Sequence, residues 1–201
     1  MLKFALQPYG ALGTARRIRP LETRTDYLTA GELALLLLAG SLATVAVAAF
    51  SPGLRIPGHA ILRAALPMVC GMALVPRRMS GTIMTLGAMA TAAGISTMGL
   101  GRWQPGAMVS LLALGPAIDL AMLGREMTGW RLYVRFALAG MLANSLAFAA
   151  RAGSAWLQLD DGRPHSISHF GLGVFLSFAA CGAFAGLLSA AVCFRSSTQS
   201  D

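Results

Sequence analysis

Apolar residues run along the chain in long blocks separated by short intervals rich in proline, glycine and arginine, with neither strand-like alternation nor a narrow amphipathic stripe. Residues 33 to 54, 79 to 101 and 170 to 194 contain no Asp, Glu, Lys, Arg or His. As helices rising ~1.5 Å per residue, each crosses ~30 Å of hydrocarbon. Three further apolar blocks each carry one ionisable group deep in the run: Pro57 to Val75 with Arg63, Ala107 to Leu123 with Asp119, and Leu132 to Ala150 with Arg135. The pattern predicts an all-α polytopic membrane protein, a bundle of six transmembrane helices. Ser51-Pro52-Gly53, Ile56-Pro57-Gly58, Pro76-Arg77-Arg78 and Pro105-Gly106 punctuate the blocks as tight connections, so consecutive helices are expected to be antiparallel neighbours. Residues 1–30 read as a basic cytoplasmic tail rather than a signal peptide, 31–195 as the membrane domain and 196–201 as a second cytoplasmic tail.

Composition strengthens this reading. Hydrophobic residues make up 56% of the 201 and charged residues only 12%, about half the usual ~25%, and the mean hydropathy is +0.64. In a soluble protein the net charge of +8 would point to nucleic acid; here the arginines are dispersed between apolar blocks, as expected where positive residues hold loops in the cytoplasm. With both termini inside, Lys3, Arg16, Arg17, Arg19, Arg24, Arg77, Arg78, Arg125, Arg131 and Arg195 lie on the cytoplasmic side and only Arg55, Arg102, Arg151 and Arg163 opposite. This predicts an inner (plasma) membrane protein with cytoplasmic termini and no nucleic-acid partner. Cys70, Cys181 and Cys193 are odd in number and sit inside apolar runs, so they are expected to be small buried hydrophobes rather than disulfide partners or metal ligands.

The chain contains no Gly-x-Ser-x-Gly, no His-Glu-x-x-His, no phosphate loop ending in Lys-Ser/Thr and no Cys-x-x-Cys. Nucleophilic, zinc, nucleotide and redox chemistries all lack their minimum parts, and a catalytic role, a metal and a cofactor are not expected. The charges within the membrane are more informative, since each costs at least ~2.5 kcal/mol unless paired or hydrated. Asp119 and Arg135 lie at similar depth on adjacent antiparallel spans. They are expected to form a structural ion pair, with a part in gating as the alternative. Arg63 has no acidic counterpart at its depth. It either snorkels to the outer headgroups or, with His59 one turn earlier, faces an outer cavity and meets an anionic ligand. On the same side, Arg102, Trp103 and Gln104 join spans three and four, and Trp156 lies with Asp160 and Asp161 in the long fifth loop from Arg151 to about Ser168. The tryptophans form either an interfacial belt or a stacking lid over a flat heteroaromatic molecule. The candidate substrate-binding residues are therefore His59, Arg63, Arg102, Trp103 and Gln104. Small-x-x-x-small pairs, Ala39 with Ala43 in span one and Gly182 with Gly186 in span six, permit close backbone approach within the bundle or against another subunit.

Taken together, Ile56-Pro57-Gly58, Gly71 followed by Leu74-Val75-Pro76-Arg77-Arg78 and Gly81, and Pro105-Gly106 leading to Gly115-Pro116 and Asp119 resemble the substrate-binding S component of an energy-coupling factor (ECF) transporter. The resemblance covers roughly residues 56 to 120. It implies capture of a vitamin or similar micronutrient from outside, and docking onto a transmembrane coupling subunit that carries two ATPases. Ala39 and Ala43 match the pattern by which such proteins meet that subunit. Residue 2 is Leu rather than the His of metal-specific members, which argues against cobalt or nickel. The alternative is a non-transporting membrane scaffold or assembly subunit whose charges are all structural.

Overall fold

The computed structural model describes residues 28–49, 58–99, 105–123, 130–157 and 171–194. Among them are six helices and no strand: α1 Ala30–Ala49, α2 Ala60–Leu74, α3 Ser80–Thr97, α4 Pro105–Met122, α5 Trp130–Trp156 and α6 Leu172–Cys193. Each apolar block has become one helix. Three of them, α1, α5 and α6, are long and apolar enough to cross a membrane, while α2 and α4 are apolar but shorter.

The distribution of residue sizes is that of a protein dissolved in lipid. Large aliphatics such as Leu38, Leu42, Leu86, Leu112, Leu120 and Leu176 point outward, whereas Thr44, Ser80, Thr85, Ser110, Asn144 and Ser189 are buried. In water an apolar surface of this extent would drive association; in hydrocarbon it carries no such penalty. Exposed Trp130 and Trp156 stand at the two ends of α5. Their separation of ~39 Å at 1.5 Å per residue matches the distance between the two headgroup layers.

α2 touches every other helix, and the other five surround it in the order α1, α3, α4, α5, α6. Its Ile61, Ala64, Ala65, Met68, Val69 and Met72 form the centre of the core. The connections alternate in direction. Arg63 near the start of α2 reaches Val47 near the end of α1, Asp119 near the end of α4 meets the start of α3, and Phe136 in α5 stacks on Phe194 after α6. The bundle thus has one end bearing Glu32, Arg77 and Asp119, and an opposite end bearing Val47, His59 and Trp156.

Helices come close where residues are small. A Cβ added to Gly81 would strike the Gly115 carbonyl, and one added to Gly115 would strike the carbonyl of Gly81 and the Thr85 hydroxyl, so α3 and α4 touch backbone to backbone. Gly140, Gly182 and Gly186 do the same for α5 and α6, with Gly186 lying on the Phe136 carbonyl. The small face of span six is therefore consumed by packing within the bundle.

Two expectations need correction here. Ala43 is fully buried and Ala39 lies against Gly71 of α2, while Thr44 donates to the Ala88 carbonyl of α3 at 2.9 Å. Ala43 is thus taken up by this chain's own core, and Ala39 is partly covered by α2. The cysteines differ as well. Cys70 of α2 and Cys193 of α6 form a disulfide with Cα atoms 5.5 Å apart, leaving Cys181 free. An odd count inside apolar runs concealed a pairing between residues 123 positions apart.

Candidate functional site

The end bearing Glu32 is an organised set of polar contacts. Thr29 and Glu32 form a capping box: the Thr29 N–H donates to Glu32 Oε2 at 2.9 Å and the Glu32 N–H to Thr29 Oγ1 at 3.3 Å. The other carboxylate oxygen, Oε1, accepts from Arg77 at 2.9 Å, tying α1 to the turn between α2 and α3. That turn follows directly from its sequence. Pro76 stops α2, the Ser80 hydroxyl donates to the Val75 carbonyl at 2.8 Å, and Met79 adopts a left-handed conformation (φ 66°) that reverses the chain into α3.

Asp119 sits on this turn, not on Arg135. Its carboxylate accepts from the Gly81 N–H at 2.7 Å, the Thr82 N–H at 2.8 Å and the Thr82 hydroxyl at 2.7 Å. The first N–H groups of a helix have no partner within it and carry its positive pole, so a carboxylate from α4 both satisfies and neutralises them. Gly81 and Gly115 make the contact feasible by bringing the two backbones together one turn away. Arg135 is exposed and donates to the Leu123 carbonyl just beyond α4. The expected Asp119–Arg135 ion pair is absent among the described residues: equal depth did not place the two side chains on facing sides of their helices.

The opposite end holds the candidate ligand site. α2 has only 15 residues and α5 has 27. Gly58, with φ +85°, is packed against Asn144 and Phe178. Asn144 is twelve residues short of Trp156, so α2 begins ~18 Å below the end of α5 at 1.5 Å per residue. The central helix thus starts well short of the projecting end of α5, at about the level where α1 ends. Asn144, 2% exposed, secures this depth by donating through Nδ2 to the carbonyls of Gly58 (3.1 Å) and Phe178 (2.6 Å). Phe148 and Phe175 extend the same wall, with Phe148 packed edge-on against both Phe175 and Phe178.

Arg63 is the fourth residue of α2. Its Nη1 donates to the Val47 carbonyl at 3.2 Å, one of the last four carbonyls of α1, which have no partner within that helix. A cation at this negative pole is favourable. Its Nε is buried and has no hydrogen-bond partner, and no carboxylate lies within ion-pairing distance among the described residues. His59 precedes α2 on the same side as its N-terminal flanking residue. Arg102, Trp103 and Gln104 lie outside the described residues, as do Asp160 and Asp161.

Comparison of the chain with family models, curated proteins and solved structures finds no match. The functional reading therefore rests on the chain's own geometry. Within it, sequence reasoning singled out His59 and Arg63 as candidates but passed over Asn144, which ties Gly58 at the α2 entry to Phe178 of α6. The available signal was that Asn144 is the single asparagine of the chain, in the middle of an apolar block.

Proposed function

We propose that the protein is an integral membrane subunit of six spans, with both termini in the cytoplasm, that captures a small anionic molecule from the outer side in the manner of an ECF S component. The observation that carries this reading is Arg63, a guanidinium held among helices at the recessed start of the central α2, with one buried donor unused. A partly buried cation whose buried Nε has spare hydrogen-bonding capacity favours a carboxylate or similar anion. His59 flanks the start of the same helix four residues earlier, and Arg102, Trp103 and Gln104 precede α4 in the chain and complete the proposed set. A coupling subunit with ATPases follows from the resemblance; with Ala43 buried and Ala39 partly covered by α2, its docking residues are not named.

Two measurements test this. The first is purification in mild detergent followed by mass spectrometry of co-purified small molecules. Arg63→Ala is expected to lose the molecule while keeping expression, with apparent Tm lowered by only a few degrees through loss of the Val47 contact. Retention of the same molecule by both Arg63→Ala and Trp103→Ala would remove the site from this end of α2. The second is topology. In a cysteine-free background, single cysteines at positions 104 and 158 are expected to react with an impermeant maleimide from outside and one at 128 to stay unlabelled; the inverse pattern would overturn the orientation.

A second reading, a non-transporting scaffold or assembly subunit, is favoured by the Glu32 end, where Glu32, Arg77, Asp119 and Arg135 all have structural partners within the chain. It predicts that nothing co-purifies and that Arg63→Ala affects stability alone.

A further inference from the structure

We propose that Cys70 and Cys193 are a reversible redox clasp, formed and opened by thiol–disulfide exchange, that locks the central helix α2 to α6. The two lie on different helices at the same end of the bundle, are bonded in the structure, and are each half-buried rather than sealed in the core. α6 is the last helix of the ring and its contact with α2 closes the seam of the bundle. Pro67 lies between Arg63 and Cys70. It removes one backbone hydrogen bond and is the natural bending point of α2. The clasp therefore anchors the segment of α2 beyond that point, while the segment bearing Arg63 stands on the other side of it. Closing the bond holds α2 against α6; opening it removes the covalent link between them.

For its compartment alone, the inference rests on the orientation proposed above, which places both sulfurs toward the cytoplasm. There the thiol pool keeps most cysteines reduced, so a disulfide at this position responds to the redox state of the cell. The oxidant is a low-molecular-weight disulfide of the glutathione class. The thiolate of Cys193, at the end of its helix, attacks one sulfur, forms a mixed disulfide and releases one small thiolate. The thiolate of Cys70 then displaces the second small thiolate. Two protein thiols and one small disulfide become one protein disulfide and two small thiols, which take up the two protons. Excess small thiol reverses each step.

The test uses the full chain in membrane vesicles and in detergent, with Cys181, twelve residues from Cys193 in the same helix, as an internal reference. After treatment with glutathione disulfide, alkylation and peptide mass spectrometry are expected to recover the Cys70–Cys193 cross-link with Cys181 alkylated. Excess reduced glutathione is expected to restore both thiols. Oxidation is expected to raise apparent Tm by several degrees, and Cys70→Ser and Cys193→Ser are each expected to abolish that rise. Alkylation of both cysteines throughout the oxidation series would overturn the clasp. A cross-link that survives excess reduced glutathione would overturn its reversibility and leave a permanent structural bond. In the reduced protein, labelling by an impermeant maleimide from the outer side only would overturn cytoplasmic control and the proposed orientation, while the exchange chemistry measured in detergent would stand.

Discussion

Replacing Asp119 with alanine is expected to destabilise the protein by about 2–3 kcal/mol. The carboxylate accepts from two backbone N–H groups and one hydroxyl at the start of α3, and each partly buried donor left without an acceptor costs about 1–3 kcal/mol. Because Asp119 is only partly buried, water recovers part of that loss. Asp119→Asn keeps one acceptor oxygen and is expected to lose roughly half as much, and Thr82→Ala about 1 kcal/mol. Arg135→Gln removes an exposed donor to a single carbonyl and is expected to stay within about 0.5 kcal/mol of the parent. The decisive measurement is the thermal-unfolding cycle in detergent. Asp119→Asn and Arg135→Gln are expected to add within about 0.5 kcal/mol; a coupling above about 1 kcal/mol would restore the direct ion pair that the side-chain positions exclude.

Gly186→Leu is expected to abolish assembly of a stable bundle. A Cβ at this position strikes the carbonyl oxygen of Phe136, which is helical backbone and has no rotamer to yield. The seam contains two further close contacts, Gly140 against Gly182, and is sealed by Phe136 stacked on Phe194 with ring centroids 5.3 Å apart. Accommodating leucine requires α5 and α6 to separate along their length, which forfeits the van der Waals contact that holds helices together in lipid. Gly186→Ala requires a smaller shift and is expected to cost about 1–3 kcal/mol. Gly173→Leu in the same helix is the control, since nothing lies within 4 Å of a Cβ there. Size-exclusion chromatography in mild detergent is expected to show a monodisperse peak for Gly173→Leu and none for Gly186→Leu. A normal peak for Gly186→Leu would disprove the backbone contact.

The two proposed sites were unequally legible in sequence. His59 and Arg63 stand out because an ionisable group in an apolar run is costly enough to demand a reason. The recess around them did not, because it depends on how far α2 is drawn down against α5 and α6. That offset is set by Asn144 gripping the carbonyls of Gly58 and Phe178, three groups whose proximity no spacing rule contains. The clasp was misread for the same reason: Cys70 and Cys193 each look like an ordinary buried small residue until α6 is laid against α2.

Hydropathy decided where each element lies, although α5 runs past its apolar block through Arg151 to Trp156, residues expected to be loop. A helix in hydrocarbon must satisfy its backbone internally and be apolar along its length, so its existence and approximate limits are local properties that a run without charges displays directly. The six blocks accordingly became six helices, with the Pro-Arg-Arg and Pro-Gly intervals at their ends. What the sequence could not determine was which side of each helix faces which neighbour. Two residues at equal depth meet only if their helices are also rotated toward one another, and a rotation of 100° per residue makes a one-position difference decisive. Tertiary packing therefore sent Asp119 to the start of α3, Arg135 to a free carbonyl, Ala43 into the core with Ala39 against α2, and Cys70 to Cys193, because close contact between glycine-lined backbones sets those rotations and overall hydrophobicity does not.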